Sequence, residues 1–378
     1  MQKLHEIEEQ PKKALLVSFR TDKKNDASGG SPDEESPGRE LEGLVRTLEL
    51  EIAGHEIVRV RDRQPKFGMG TGKAGELAET AARLEADCVI FDSELSPSQQ
   101  RNWEDIAGMP VLDRQELIIQ IFAMRAATRE AELQVRLAEL NYRLPRLAHK
   151  YIDLSRQRGG RYGTRGAGET RLETDRRQIE KQIHKLEKEI EGVEKERQVQ
   201  RRQRERQGLP ICAIVGYTNA GKSSLLNVFT GAGVLVEDKL FATLDTVTRR
   251  FEPEQGMTAL LTDTVGFIRR LPHSLIKAFR STLEEATRAA LLIHVLDAAD
   301  PGIKNCQQTT VSVLQELGAG EIPVITVLNK CDLLEDAAQA KALLARFPGS
   351  LAVSVNKAEG LENLKYHIAK ELKATKRQ

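Results

Sequence analysis

Gly216–Ser223 reads GYTNAGKS, a G-x-x-x-x-G-K-S spacing that follows the apolar run ICAIV and opens the helix-compatible stretch SLLNVF. Gly216 and Gly221 let the backbone curl until its N–H groups face phosphate oxygens, and the following helix adds the positive end of its dipole. Lys222 then reaches the β- and γ-phosphates and Ser223 can ligate Mg²⁺. Tyr217, Thr218, Asn219 and Ala220 complete the loop, and Ser224 follows it. Four further segments decide which nucleotide binds and what happens to it. NKCD (Asn329, Lys330, Cys331, Asp332) follows the strand-like VITVL. Asp332 can accept from guanine N1–H and the 2-amino group, which adenine does not offer. DTVG (Asp263, Thr264, Val265, Gly266) follows TALLT. It supplies a carboxylate, Asp263, behind the magnesium and a backbone N–H, Gly266, that senses the γ-phosphate. FATLD (Phe241, Ala242, Thr243, Leu244, Asp245) offers Thr243 as the switch I magnesium ligand, with Thr246 and Thr248 as close competitors. SVN (Ser354, Val355, Asn356) sets backbone against the guanine. Lys222, Thr243 and Gly266 are the residues expected to act on the γ-phosphate during GTP hydrolysis to GDP.

Two positions leave alternatives. Phe267 stands where small signalling GTPases carry the glutamine that orients attacking water. Phenylalanine cannot hold water, so either hydrolysis is slow until a partner completes the site, or Phe267 packs away and another group positions the water. Asn219 matches the asparagine of potassium-stimulated GTPases that lack the same glutamine; the alternative is a loop asparagine bonding its own backbone. A second glycine-rich stretch, KFGMGTGKAGEL (Lys66–Leu77), fails the phosphate-loop test. Its first glycine would have to be Phe67, and Ala74 follows Lys73 where a metal ligand is needed. It reads as a turn before a helix whose N–H groups could hold RNA phosphate.

The elements that position these residues fall into three blocks: 1–129, a small parallel α/β domain; 130–207, an antiparallel coiled-coil hairpin; and 208–378, a P-loop GTPase domain. In the first, strands at Ala14–Phe19, Glu56–Val60, Cys88–Asp92 and Pro110–Asp113 alternate with helices at Glu40–Ala53, Gly75–Glu85 and Pro97–Ile106. Thr21–Gly38 is too polar to order itself. In the second, Leu133, Leu137, Leu140, Leu144, Leu147, Tyr151 and Leu154 recur at threes and fours, as do Ile179, Ile183, Leu186, Ile190 and Val193. Pro145 should bend or break the first helix. Between the seams lies SRQRGGRYGTRGAGETRLETDRR, starting at Ser155, with five glycines. Arg156, Arg158, Arg161, Arg165 and Arg171 face the single acid Glu169 up to Arg171, and a second basic run spans Arg201–Arg206. Glycines permit close approach and arginines pair with phosphates and stack on bases, so an exposed tip of this composition suits folded RNA.

The 378 residues are 40% hydrophobic, 30% charged and 4% aromatic, with a formal net charge of +1. This suits a helix-rich chain of two or three domains. The longest apolar runs, such as Ala289–Leu296, fall far short of a membrane span of ~18 residues. The N-terminal stretch lacks the apolar segment of a secretory signal. Cys88, Cys212, Cys306 and Cys331 have no metal-ligand spacing and read as reduced thiols of a cytoplasmic protein.

GAGETRLETDRR, FATLDTVTRR and DTVGFIRRLP resemble segments of the HflX-type GTPases, as do LSPSQQRNWEDIAGMPVLDR and IFAMRAATREAELQV. The resemblance runs from about Lys12 to Leu372. It implies a monomeric, Mg²⁺-dependent, ribosome-associated GTPase that binds the large ribosomal subunit and splits or rescues stalled or inactive ribosomes by pushing the hairpin tip toward the peptidyl-transferase region. In two respects the chain departs from the family: Ser354–Val355 stands where Ser-Ala is usual, and the chain stops soon after the last helix, whereas some relatives carry a further C-terminal domain. Two other functions remain compatible with the residues: an RNA-remodelling NTPase that also accepts ATP, and a coiled-coil switch or scaffold acting on a protein. The arginines at the tip favour RNA over the latter.

Overall fold

The computed structural model describes residues 12–21, 38–147, 165–206, 208–234, 237, 239–269 and 285–375. The chain divides into two compact units, Met1–Met124 with Glu132–Glu191, and Arg125–Ala131 with Gly192–Gln378.

The first unit holds β1 (Lys13–Thr21), α1 (Arg39–Thr47), β2 (Glu51–Val60), α2 (Thr71–Arg83), β3 (Cys88–Phe91), α3 (Pro97–Ala107), β4 (Val111–Asp113) and α4 (Arg114–Arg125). Its sheet runs β2-β1-β3-β4, all parallel. Ala14–Val17 are fully buried, the continuous apolar run of a strand covered on both faces. On one side Leu15, Val17, Val89, Phe91, Leu77 and Trp103 form the core. Helix α3 starts where its sequence dictates. Ser96 and Gln99 form a reciprocal capping box, Pro97 opens the first turn, and Gly108 ends the helix at φ 65°.

The expected helix Glu40–Ala53 is shorter than predicted: it stops at Thr47, and Glu49 turns the backbone at φ 62°. The residues that follow pair with β1 instead, from Lys13↔Glu51 onward, because the buried strand β1 would otherwise leave the backbone groups of that edge unpaired. The KFGMGTGK segment is a packed turn. Phe67 and Met69 are buried, Trp103 Nε1 donates to Phe67 O at 3.0 Å, and Asn102 Nδ2 donates to Lys66 O at 2.9 Å. Gly72 and Lys73 lie in the first turn of α2, where Lys73 pairs with Glu76 at 2.9 Å.

The helical region contains α5 (Arg129–Arg143), a 3₁₀ turn at Leu144–Arg146 and α6 (Arg165–Arg206). Pro145 sits in that turn, which ends α5 as expected. Arg146 and Tyr142 close a buried polar network: Arg146 donates to Gln100 Oε1, Leu95 O and Asp113 Oδ2, and Tyr142 Oη to Glu116 Oε2 at 3.0 Å. Burial, reinforced by Asp113, pushes the Glu116 carboxyl up to about 7. The second seam is the sheltered stripe of α6, with Leu186 buried and Ile179, Ile183, Ile190 and Val193 half-buried. Helix α6 begins at Arg165, so Gly166–Arg177, read as part of a loop, is helical. Arg177–Glu173 and Arg176–Glu180 pairs support this turn. Tyr151, Leu154, Arg156, Arg158 and Arg161 lie outside the described residues.

The second unit carries β5 (Ile211–Gly216), α7 (Lys222–Thr230), β6 (Val247–Glu254), β7 (Met257–Asp263), β8 (Leu291–Asp297), α8 (Ile303–Glu316), β9 (Val324–Asn329), α9 (Ala337–Arg346), β10 (Leu351–Ala352) and α10 (Leu361–Thr375). The sheet order is β10-β9-β8-β5-β7-β6, parallel except for β6. Strand β6 escaped the sequence reading because half of it is exposed edge, TRRFEPE, rather than an apolar run. The predicted strand SLAVSV shrinks to Leu351–Ala352, since Ser354 onward turns back on itself through Ser354–Glu359 bonds.

Candidate nucleotide-binding site

Strand β5 ends in the loop Gly216–Gly221 and α7 begins at Lys222, the strand–loop–helix order that the motif requires. Gly221 adopts φ +93°, and a Cβ there would lie 2.2 Å from Asn329 Nδ2. Only glycine serves at this corner. Asn219, Phe241 and Lys330 are three of six described non-glycine residues with positive φ, and each falls in a different predicted loop. Left-handed backbone of this kind costs energy and clusters where a ligand is held.

Lys222 is buried, and its Nζ donates to Tyr217 O at 2.7 Å. Burial pulls its pKa down to about 8, with Asp263 opposing. Asp263, at the end of β7, is also buried. Burial raises its pKa, and Lys222 and Ser223 offset part of the rise. Ser223 Oγ donates to Asp263 Oδ2 at 2.6 Å and lies 2.7 Å from Thr243 Oγ1. Asp263 Oδ1 is buried without a hydrogen bond of normal geometry among the described residues. Two hydroxyls touching in front of a buried carboxylate form an all-oxygen donor set, which fits a hard cation such as Mg²⁺. Thr248, the competing threonine, sits in β6 with its hydroxyl 3.0 Å from that of Thr262.

Gly266 lines the cleft beside Thr218 and Lys222. A Cβ there would come within 2.7 Å of Thr218 Cγ2 and 3.0 Å of Lys222 Nζ. The following residue is fixed by the chain itself: Thr218 N donates to Phe267 O at 2.8 Å and Phe267 N to Gly216 O at 3.1 Å. The Phe267 ring is 1% exposed, packed with Val215, Leu292 and Leu314. The ring therefore packs away from the cleft, a position compatible with both readings. Thr264 turns inward to Ile214 O at 2.7 Å, and Val265 and Leu244 are buried.

Asn329, at the end of β9, joins the two ends of the site. Its Nδ2 donates to Ala220 O at 2.9 Å and its Oδ1 accepts from Val355 N at 3.2 Å. Ser354 Oγ donates to Asp332 Oδ1 at 2.6 Å, and this bond holds the Asp332 carboxyl below its ordinary range. Lys330 pairs with Asp297 at 2.7 Å, and Cys331 Sγ donates to Leu328 O at 3.2 Å.

The cleft is lined by Thr218, Asn219, Gly221, Lys222, Ser223, Ser224, Phe241, Ala242, Thr243 and Gly266, together with Glu237 and Lys239, which belong to no motif. Asp245 departs from expectation: its carboxylate accepts from Ala127 N and Thr128 N rather than facing the cleft. His294, also unnoticed, is buried on β8. Burial and the Lys222 charge push it down to about 4, so it is neutral. No local motif announces it, because it is brought near Lys222 only by the β5–β8 pairing.

Residues 211–330 match the family model of the 50S ribosome-binding GTPase, 35–123 that of the GTP-binding GTPase N-terminal region and 125–204 that of the GTP-binding GTPase middle region. The chain is 47% identical to the GTPase HflX of Akkermansia muciniphila over 94% of its own length and 83% of that relative. To the GTPase HflX of Escherichia coli it is 45% identical, over 79% of this chain and 70% of that one. A crystal structure of SsGBP in complex with GDP is 25% identical with a TM-score of 0.52, covering 96% of this chain and 99% of that one.

Proposed function

The chain belongs to the HflX family of GTPases, enzymes that hydrolyse GTP, and we propose that it couples this hydrolysis to binding the large ribosomal subunit, splitting or rescuing stalled ribosomes. The observation that carries the reading is the extent of the kinship. It takes in residues 35–123, 125–204 and 211–330 by family model and 94% of the chain by its 47% identical relative, rather than the nucleotide loops alone. The protein acts as a cytoplasmic monomer. Among the described residues no helix is long and apolar enough to cross a membrane.

In this reading Gly216–Ser224 wraps the phosphates, and Lys222 exchanges the Tyr217 carbonyl for a phosphate oxygen. Ser223 and Thr243 hold Mg²⁺, with Asp263 fixing Ser223 from behind. Bound magnesium neutralises charge on the β- and γ-phosphate oxygens. Gly266 offers its N–H to the γ-phosphate. Asp332 reads the guanine, and Ser354, Val355 and Asn356 back it. Phe267 lies in the core and holds no water, so intrinsic hydrolysis is slow and the large subunit stimulates it. Asn219 can hold K⁺ beside the phosphates, where a cation takes up charge as the bond breaks. Arg156, Arg158, Arg161 and Arg165 grip ribosomal RNA.

Sedimentation tests this. With a non-hydrolysable GTP analogue the protein should travel with large subunits, and light scattering should report loss of 70S particles. With GDP both effects should fade. Absence of large-subunit binding in every nucleotide state refutes the proposal.

A further inference from the structure

Switch I is gripped on both sides of Thr243 by a segment remote in sequence. Glu237 pairs with Arg125, which holds its carboxyl below the ordinary range. Asp245 Oδ2 accepts from Ala127 N at 3.2 Å and from Thr128 N at 3.1 Å, and its Oδ1 accepts from the Thr128 hydroxyl. Thr128 Oγ1 in turn accepts from Ala131 N at 3.2 Å, the N-cap bond of α5. The Asp245 carboxylate thus sits at the positive end of that helix, where a negative charge is stabilised. Arg125–Ala131 and the nucleotide loops belong to one compact unit.

Resting on the reading of this cleft as the Mg²⁺–GTP site, we propose that Arg125 and Thr128 are positioning residues for GTP hydrolysis: they pin switch I at Glu237 and Asp245 so that Thr243 stays beside Ser223. Neither residue touches the cleft; they act through Thr243. The coupling is reciprocal by linkage. If the clip favours the Thr243 position that magnesium and the γ-phosphate require, then Mg²⁺–GTP must strengthen the clip by the same factor. GDP, which lacks the γ-phosphate, leaves it weaker. The first turn of α5, where the helical region begins, therefore carries the nucleotide state of the site.

The test uses the full chain and fluorescent GDP and non-hydrolysable GTP analogues. Losing one of these solvent-facing contacts to a charged group should cost up to about tenfold in affinity. Thr128→Val and Arg125→Ala should each weaken the GTP analogue by that order in Mg²⁺ and raise the Mg²⁺ needed for half-saturation. GDP affinity should stay within about twofold, and Thr128→Ser should restore the wild-type values. Hydrogen exchange on the wild-type protein needs no variant: the Ala127 and Thr128 amides should exchange more slowly with the GTP analogue than with GDP. Equal loss of both nucleotides would mean that Thr128 and Arg125 only support the fold, and equal exchange in the two states would overturn the coupling. Failure of the wild type to bind either nucleotide would overturn the site reading itself.

Discussion

Asp332→Asn should exchange guanine for xanthine. Ser354 Oγ accepts from Lys357 N at 3.0 Å and donates its only proton to Asp332 Oδ1 at 2.6 Å. That position must hold an acceptor, so in Asp332→Asn the amide oxygen stays with Ser354 and the NH₂ turns toward the base. An NH₂ facing the guanine 2-amino group sets donor against donor. Facing the xanthine C2 carbonyl, it makes a bond. Loss of one hydrogen bond to a carboxylate is worth about 1.5–3 kcal/mol, or roughly ten- to a hundredfold in affinity. Because Asp332 is only half-buried, the lower part of that range applies to GTP, with a gain of similar order for xanthosine triphosphate. Competition of each triphosphate against a fluorescent GTP analogue measures both. Unchanged GTP affinity would refute the assignment of Asp332 to the base. Loss of GTP without gain of xanthosine triphosphate would refute the orientation argued from Ser354.

Gly266→Ala forces a methyl to within 2.8 Å of the Thr218 backbone, so kcat should fall by about a hundredfold, the lower cost of one misplaced transition-state donor, while GDP binding persists; equal loss of GDP binding would contradict this. Lys222 has a pKa near 8 in the empty site, and a bound phosphate raises it. GTP affinity should therefore be level below pH 8 and fall by up to about tenfold per unit above it. Stability of the empty protein runs the other way, rising between about 8 and 10.5, because the unfolded chain binds the extra proton there. Calorimetry at several pH values checks both signs, and flat affinity from pH 7 to 9 would contradict the first. If Asn219 holds K⁺, turnover in KCl should exceed that in NaCl, and equal rates with and without large subunits would remove the cation from the account.

The nucleotide loops were legible because each is a local motif whose residue types follow directly from phosphate, metal and base chemistry, and chain order ranks them. Thr243 could not be separated from Thr246 and Thr248 by spacing alone; the Ser223 contact and the pairing of Thr248 with Thr262 favour it. Long-range packing was invisible. Phe267 is core because strands β5 and β8 and helix α8 surround it, and Asp245 faces a threonine 117 residues away. Boundaries failed where two states compete over the same residues. Glu51–Ala53 has a helix-compatible composition but pairs with β1, and Gly166–Gly168 has loop composition but lies in the first turn of a 42-residue helix.

Single-turnover GTP hydrolysis with and without purified large ribosomal subunits, in the wild type and in a variant with Arg156, Arg158, Arg161 and Arg165 all replaced by alanine, tests the central claim most directly. Subunits should accelerate the wild type. The variant should keep its GTP affinity and lose the acceleration, and its large-subunit binding should show a salt slope shallower by at most about 3 to 4. Wild-type hydrolysis indifferent to large subunits, or a variant accelerated as fully as the wild type with an unchanged slope, would contradict an enzyme whose nucleotide site answers to RNA held by these four arginines.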